Sequence, residues 1–215
     1  MSRSIHFQSA TKSLVLIPIA VGINLIGGTL CSTLKLPLFL DMIGTIIIAC
    51  LSGPWVAALC GLLTNLFLAV VANPVYIPYA FVSMLCGLIT GYLVKMGFFR
   101  NKFGVVIIWL VCTLTNTITA SLITIFVYGG ATGVNSTSIV TATLLATTKQ
   151  LFLSVFSSAM LENLIDKALV FIIAYLLIQR IPKKFLSQYG LKSIFETDFK
   201  RHSEPRLPST AQINH

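Results

Sequence analysis

Chemically reactive side chains are scarce in this sequence, and three of them stand together inside an apolar stretch. The segment AMLENLIDKALVFIIAY, residues 159–175, carries Glu162, Asp166 and Lys167. Glu162 and Asp166 are four positions apart and therefore share one face of a helix, with Lys167 one step around it. Ionisable groups within an apolar span avoid lipid, so they face protein or water and by default indicate a binding or transport site.

Two interpretations of these charges are open. Asp166 and Lys167 can form an ion pair that holds helices together, because buried charges are usually paired. Asp41 is a second candidate partner for Lys167, since an unpaired buried lysine would be costly. Glu162 is the residue that we expect to face a ligand, because carboxylates within a membrane mark functional sites by default.

Further polar residues fall near the same level of the predicted bundle. Asn65, Asn73, Tyr76 and Tyr79 border the outer end of the third and fourth predicted helices, and Asn116 belongs to a polar stripe on the fifth. The tyrosines could equally form an interfacial aromatic belt, and the stripe could serve interhelical hydrogen bonds. The predicted substrate-binding residues are Glu162, Asp166, Lys167, Asp41, Asn73, Tyr76, Tyr79 and Asn116.

The composition predicts an integral membrane protein. Of the 215 residues, 56% are hydrophobic and only 10% are charged, whereas soluble domains carry about 25% charged residues. Apolar runs long enough to cross about 30 Å of hydrocarbon as helices recur along most of the chain. We predict an all-α bundle of six transmembrane helices, at about residues 13–33, 36–52, 55–73, 77–97, 104–129 and 157–180.

The segment between the last two predicted helices is less regular. It begins with the polar stretch ATGVNSTSIV and continues through a mildly apolar stretch. A single helix over residues 141–180 would be about 60 Å long at 1.5 Å per residue, which is too long for one span. We therefore predict that part of residues 131–158 lies at the outer surface, where it could act as a lid.

Basic residues predict the orientation of the chain. Most of the 15 Lys and Arg residues fall in segments that share one side of the membrane with both termini, and such segments are cytoplasmic by the positive-inside rule. Residues 1–12 are then a cytoplasmic N-terminus, 13–181 the membrane domain and 182–215 a cytoplasmic polar tail. The net charge of +9 is explained by this topology and by anionic membrane lipid, without nucleic acid.

The motifs of catalysis are missing from the sequence. It contains neither the G-x-x-x-x-G-K-[ST] phosphate loop nor a G-x-S-x-G nucleophile elbow. His6, His202 and His215 are all near the termini, and no cysteine pair has the spacing of a zinc site. We therefore predict a binding or transport protein that is not an enzyme and holds no metal or cofactor of its own.

Three segments carry a family pattern when they are taken together. They are LKLPLFLDMIGTIIIACLSGPWVAALCGLLTNLF at residues 34–67, NPVYIPYAFVSMLCGLITGYL at 73–93 and IDKALVFIIAYLLIQRIPKKF at 165–185. In this combination the chain resembles the substrate-binding S components of energy-coupling factor (ECF) transporters of prokaryotic cytoplasmic membranes. The resemblance implies a six-helix bundle that captures a vitamin or similar micronutrient at its outer side.

The same resemblance implies partners and a docking face. An S component pairs with a transmembrane coupling subunit and two ABC-type ATPases, which use the ATP. The nickel and cobalt branch carries a histidine directly after the initiator methionine, whereas this chain begins Met1-Ser2-Arg3, which argues against a metal substrate. Small residues on a helix can also serve close contacts within one bundle. The resemblance implies that those on the first and third helices form the docking face, at Ala20, Gly22, Asn24, Gly28, Ala57 and Gly61. Asn24 stands where a small apolar residue is expected.

Two other classes of membrane protein remain as alternatives. Similar bundles occur as membrane sensory domains fused to signalling modules, and about 35 residues after the last predicted helix leave little room for such a module. A proton-coupled carrier would use Glu162 or Asp166 as a relay, because acids within a membrane also serve proton pathways. Dependence of uptake on ATPase partners separates an S component from both.

Overall fold

The computed structural model describes residues 2–134 and 136–182 of the chain. These residues form seven α-helices and one short 3-10 turn at Phe98–Arg100, with no β-strand in the described ranges. The predicted tail at 182–215 lies outside the described residues except for Pro182. The helices are α1 Ser2–Thr33, α2 Ile43–Ser52, α3 Pro54–Val71, α4 Tyr76–Lys95, α5 Lys102–Tyr128, α6 Thr137–Thr148 and α7 Leu151–Arg180.

Four of the described helices are long and apolar enough to cross a membrane. They are α3, α4, α5 and the part of α1 from Leu14 to Thr33. α2 and α6 are apolar but have only 10 and 12 residues, and α7 carries four charged residues, Glu162, Asp166, Lys167 and Arg180. The prediction of an all-helical, multi-pass membrane protein is therefore confirmed, while the predicted number of six spans is not established.

The predicted second helix is shorter than expected. Residues 34–42, which we call the α1–α2 linker, are not helical, and α2 begins only at Ile43. Pro37 disfavours a helical conformation at the residue before it, and Lys35 and Leu40 have φ angles of 54° and 49° in the left-handed region. At 1.5 Å per residue, α2 is about 15 Å long.

The ends of α1 and α7 also differ from the prediction. α1 begins at Ser2, well before residue 13. α6 is a separate helix that packs against α7, and the chain turns between them through Lys149, whose φ is 56°. α7 begins at Leu151, six residues before its predicted start, because this turn divides the mildly apolar stretch into two helices.

α2 occupies the centre of the bundle, where it contacts α1, α3, α4 and α7. α3 packs along α4, and α5 packs along α7. Glycines permit the close approaches: a Cβ at Gly44 would collide with the backbone of Ala20, and one at Gly61 would collide with the backbone of Ser83. An apolar core of fully buried side chains fills the space between α2, α5 and α7, with Ile46, Ile108 and Ala174 among them.

Asn24 holds α1, α2 and α3 together in the interior. Its side chain is fully buried. Nδ2 donates to Thr45 Oγ1 at 2.9 Å and to Thr64 Oγ1 at 3.0 Å, and Oδ1 accepts from the Gly44 N–H at 2.7 Å. The first N–H groups of a helix have no partner within the helix, so Asn24 satisfies one of those at the start of α2.

Most residues of the predicted docking face lie inside the bundle. Five of its residues lie buried inside the bundle, and Gly22 alone of the six is partly exposed with open space where a Cβ would stand. Small residues and Asn24 serve contacts between helices of one chain, because each approaches a neighbouring helix backbone or side chain. The buried residues are Ala20, Asn24, Gly28, Ala57 and Gly61.

Candidate functional site

A cavity opens at the end of the bundle where the α1–α2 linker meets α4, α5 and α7. Its empty volume, including the part open to solvent, is about 800 Å³. The segment from Gly130 to Val134 and helix α6 contribute to its wall. The irregular region predicted as a lid therefore does border the cavity.

Most of the predicted binding residues line this cavity. Two predicted residues do not line it. Asn73 uses its Oδ1 to accept the Val75 N–H at 3.0 Å and so shapes the turn before α4. Asp166 lies behind the wall and is fully buried. The predicted residues along the cavity are Asp41, Tyr76, Tyr79, Asn116, Glu162 and Lys167.

Asp166 ties α7 to the α1–α2 linker. Its Oδ2 accepts from Lys167 Nζ at 2.6 Å, and both side chains are buried. Its Oδ1 accepts from the N–H groups of Phe39 and Leu40, each at 2.9 Å. Both carboxylate oxygens of Asp166 thus have partners within the protein. This arrangement favours the interpretation in which Asp166 holds helices together. Lys167 has its ion-pair partner on its own helix, in Asp166.

Two further hydrogen bonds fasten the α1–α2 linker to the segment before α6. Lys35 Nζ donates to the Val134 carbonyl at 3.1 Å, and Ser136 Oγ donates to the Lys35 carbonyl at 2.5 Å. The linker is therefore bound on one side to α7 and on the other to the segment that borders the cavity. These contacts set the position of Asp41, which follows in the linker and is buried.

Two asparagines stand in the wall of the cavity. Asn65 Nδ2 donates to the Gly61 carbonyl at 3.1 Å and to Ser83 Oγ at 2.7 Å, and Asn116 Nδ2 lies 3.7 Å from Met42 Sδ. Both side chains are buried, and the Oδ1 atom of each has no hydrogen-bond partner among the described residues. Asn65 is absent from the predicted binding set, although its position near the outer end of the third predicted helix is a signal that could have included it.

The tyrosines face the bundle interior. Tyr76 is buried and meets Phe39 edge-on, with ring centroids 6.4 Å apart. Tyr79 stacks on Tyr128 with centroids at 6.2 Å, and its hydroxyl is 2.6 Å from Thr124 Oγ1. An interfacial aromatic belt requires rings that lie between lipid and water, so these positions favour a role in the cavity wall.

Comparison with known proteins gives one match. A family model described as "ECF transporter, substrate-specific component" matches residues 12–178, which is most of the chain. No curated protein and no solved structure gives a significant match. The matched residues include all seven helices in whole or in large part.

Proposed function

The chain belongs to the substrate-specific components of ECF transporters, and on this premise we propose that it captures a vitamin or related organic micronutrient. Members of this family are membrane-embedded, substrate-binding subunits of uptake transporters. Capture takes place at the outer face of a prokaryotic cytoplasmic membrane, with both termini in the cytoplasm. The basic residues of the sequence support this orientation through the positive-inside rule.

The observation that carries the proposal is the cavity at one end of the bundle, which is lined by side chains of α4, α5 and α7. Its wall combines apolar side chains with polar ones, among them the charged residues Asp41, Glu162 and Lys167, and such polar groups can orient a bound small molecule. In the proposed orientation this end is the outer one, because the linker between α1 and α2 and the chain before α6 are both there. Glu162 and Asp41 are the carboxylates proposed to contact the substrate.

Energy for uptake comes, in this proposal, from partner subunits. The sequence lacks a phosphate-binding loop for ATP, so two ABC-type ATPases supply ATP hydrolysis through a transmembrane coupling subunit. The partly exposed Gly22 shares one face of α1 with Ile19 and Ile26, which are 59% and 71% exposed. We place the docking face for the coupling subunit there, since residues at i, i+3 and i+7 form one stripe of a helix.

A proton-coupled carrier is the second candidate function. The buried Asp41 and Asp166 favour it, because acids within a membrane can relay protons. In such a carrier, uptake would need the proton gradient and no ATPase.

Uptake of radiolabelled vitamins by cells that express the chain, with and without a co-expressed ECF coupling module, tests the proposal. We expect uptake to require active ATPases and to survive a protonophore. Uptake that collapses with the protonophore but continues without the ATPases would contradict the S-component function and support the carrier.

A further inference from the structure

A second cavity lies on the side of the bundle, between α5 and α7. We call it the α5–α7 groove; its lining runs on α5 from Lys102 to Trp109 and on α7 from Ala168 to Leu176. Its volume is about 380 Å³, far more than a single water molecule would fill. The groove is therefore too large to be a packing defect between two helices.

The groove has two different ends. At one end Trp109 Nε1 donates to the Leu164 carbonyl at 3.3 Å, which joins α5 to α7. At the other end Phe99, just before α5, meets Tyr175 of α7 with ring centroids 5.9 Å apart. The two helices are therefore antiparallel here, and Lys102 lies at the same end of the groove as Tyr175.

The length of the groove matches one leaflet of a membrane. Lys102 and Trp109 are seven positions apart, which is about 10 Å along a helix. The hydrocarbon core of a bilayer is about 30 Å thick, so a partner's transmembrane helix would contact α5 and α7 over a much greater length. The extent of the groove favours a lipid chain over a partner helix.

The lining has the chemistry of a lipid site. Phe171 is buried, with 2% exposure, whereas Val106 and Ile172 are 43% and 55% exposed. Water finds few hydrogen-bond partners on such a surface. Among the described residues that line the groove, Lys102 is the charged one, and its side chain is exposed. The groove thus joins an apolar furrow to one positive charge at its end.

We propose that the α5–α7 groove binds one anionic phospholipid of the inner leaflet, with an acyl chain along the furrow and the phosphate beside Lys102. In the orientation proposed above, Lys102 is at the cytoplasmic end of α5. The cytoplasmic leaflet carries anionic lipid, and basic pockets between helices on that side bind acidic headgroups. The site is separate from the cavity for the substrate.

A simpler role for Lys102 makes a different prediction. Lysines at the ends of membrane helices commonly extend to the interface and keep the ammonium group in water. In that case Lys102 would attract anionic lipid no more than another exposed lysine on the same side does. Lys95 is such a residue, because it is exposed at the end of α4 and lies outside the groove.

Quenching of Trp109 fluorescence by brominated lipid tests the proposal. The chain has two tryptophans, so Trp55→Phe leaves Trp109 as the reporter inside the groove. This protein would be placed in phosphatidylcholine nanodiscs that contain phosphatidylglycerol or phosphatidylcholine brominated at mid-chain. We expect Trp109 to show about a fivefold preference for the anionic lipid, the effect of one lysine near a membrane surface. Equal quenching by the two lipids, or quenching by neither, would overturn the proposal.

Variants in the Trp55→Phe protein separate the groove from general charge. Lys102→Gln should reduce the preference toward one, whereas Lys95→Gln removes the same charge from the same side and should leave it unchanged. Ala168→Leu fills the furrow and should also reduce the preference, although Lys102 is present. An equal loss in the two lysine variants, or a preference retained in folded Ala168→Leu, would contradict the proposal.

The outcome is independent of the proposed function. The fluorescence measurement needs neither a substrate nor ATPase partners, and both leaflets of the nanodisc have the same composition. A chain that supports ATPase-dependent uptake and shows no lipid preference at Trp109 would contradict the lipid site alone. A chain with the preference and no uptake would contradict the proposed function alone.

Discussion

Two buried asparagine sites in this bundle differ in whether the protein satisfies them. Asn24, between α1, α2 and α3, has partners for both its amide hydrogens and its carbonyl oxygen. Asn65 and Asn116, in the cavity wall, have donors that are engaged and carbonyl oxygens that have no partner among the described residues. The three side chains are equally buried.

The difference shows that polarity within a membrane bundle has two uses. A polar group whose bonds are complete within the chain fixes the packing of helices, as Asn24 and Asp166 do. A polar group with an incomplete set of bonds, as in Asn65 and Asn116, keeps an acceptor for which no partner occurs among the described residues. Burial and residue type alone do not separate the two uses, so the hydrogen-bond partners must be known.

Among the residues whose hydrogen bonds are complete within the chain, Asp166 should have the largest effect on stability when it is replaced. Asp166→Ala leaves the Lys167 charge buried without its partner and frees the N–H groups of Phe39 and Leu40. We expect the free energy of unfolding to fall by about 3–5 kcal/mol, as measured by denaturant unfolding in detergent.

The double variant Asp166→Ala/Lys167→Met is the control. It removes the buried charge together with its partner, so part of the lost stability should return. If Asp166→Ala unfolds at the same denaturant concentration as wild type, Asp166 does not stabilise the contact between α7 and the α1–α2 linker.

Asn24→Leu should separate the two asparagine sites. It leaves the Gly44 N–H and two threonine hydroxyls without their partner. Each unsatisfied group should lower the free energy of unfolding by up to about 1–3 kcal/mol. Ligand binding per folded molecule should not change, because Asn24 does not line the cavity. A stable Asn24→Leu protein with weakened ligand binding would contradict this assignment, because Asn24 would then serve binding and not helix packing. The measurement is thermal unfolding together with binding to the folded fraction.

Gly44→Ala and Gly22→Ala test the small residues of the same structural region. A methyl group at Gly44 meets the backbone of Ala20, whereas one at Gly22 meets open space. Overpacking should cost Gly44→Ala about 1–3 kcal/mol, and Gly22→Ala should be neutral or slightly stabilising because alanine favours a helix. Equal unfolding temperatures for the two variants would show that α1 and α2 do not approach closely at Ala20.

The helical class and six residues of the cavity wall could be predicted from the sequence. Long apolar runs specify helices, and charged or amide side chains within them are rare enough to point to a site. The start of α2 could not be predicted, because the hydrogen bonds from Phe39 and Leu40 to Asp166 join residues more than 120 positions apart in the chain.

The faces of the helices were the harder part of the prediction. A membrane helix is apolar toward lipid and toward its neighbours, so the periodicity that reveals the buried face of a soluble helix is weak. Asn24 illustrates this limit: its position among small residues indicated a docking face, and the structure shows it bonded to Thr45 and Thr64. Asn65 shows the same limit in the cavity wall. Whether its oxygen has a partner depends on which atoms of α4 lie opposite, and the sequence does not specify them.

Glu162→Gln should have a smaller effect, and one confined to binding. Glu162 is partly buried and lines the cavity, and its substitution removes a charge while it keeps the shape of the side chain. We expect the affinity for the substrate to fall by about tenfold, or about 1.4 kcal/mol, as a charge-assisted hydrogen bond is lost. Thermal unfolding of the same variant checks that the protein on which binding is measured is folded. Unchanged affinity would remove Glu162 from the binding site.

The central claim is that the cavity holds the substrate, and filling the cavity tests it most directly. Ala120 of α5 lines the cavity, and Ile118 of the same helix is exposed on the outside of the bundle. Ala120→Phe and its control Ile118→Phe would be purified, and the small molecule that each retains would be quantified by mass spectrometry. We predict that Ile118→Phe retains ligand as wild type does and that Ala120→Phe retains none. Ligand retained by folded Ala120→Phe at the wild-type ratio would contradict the claim.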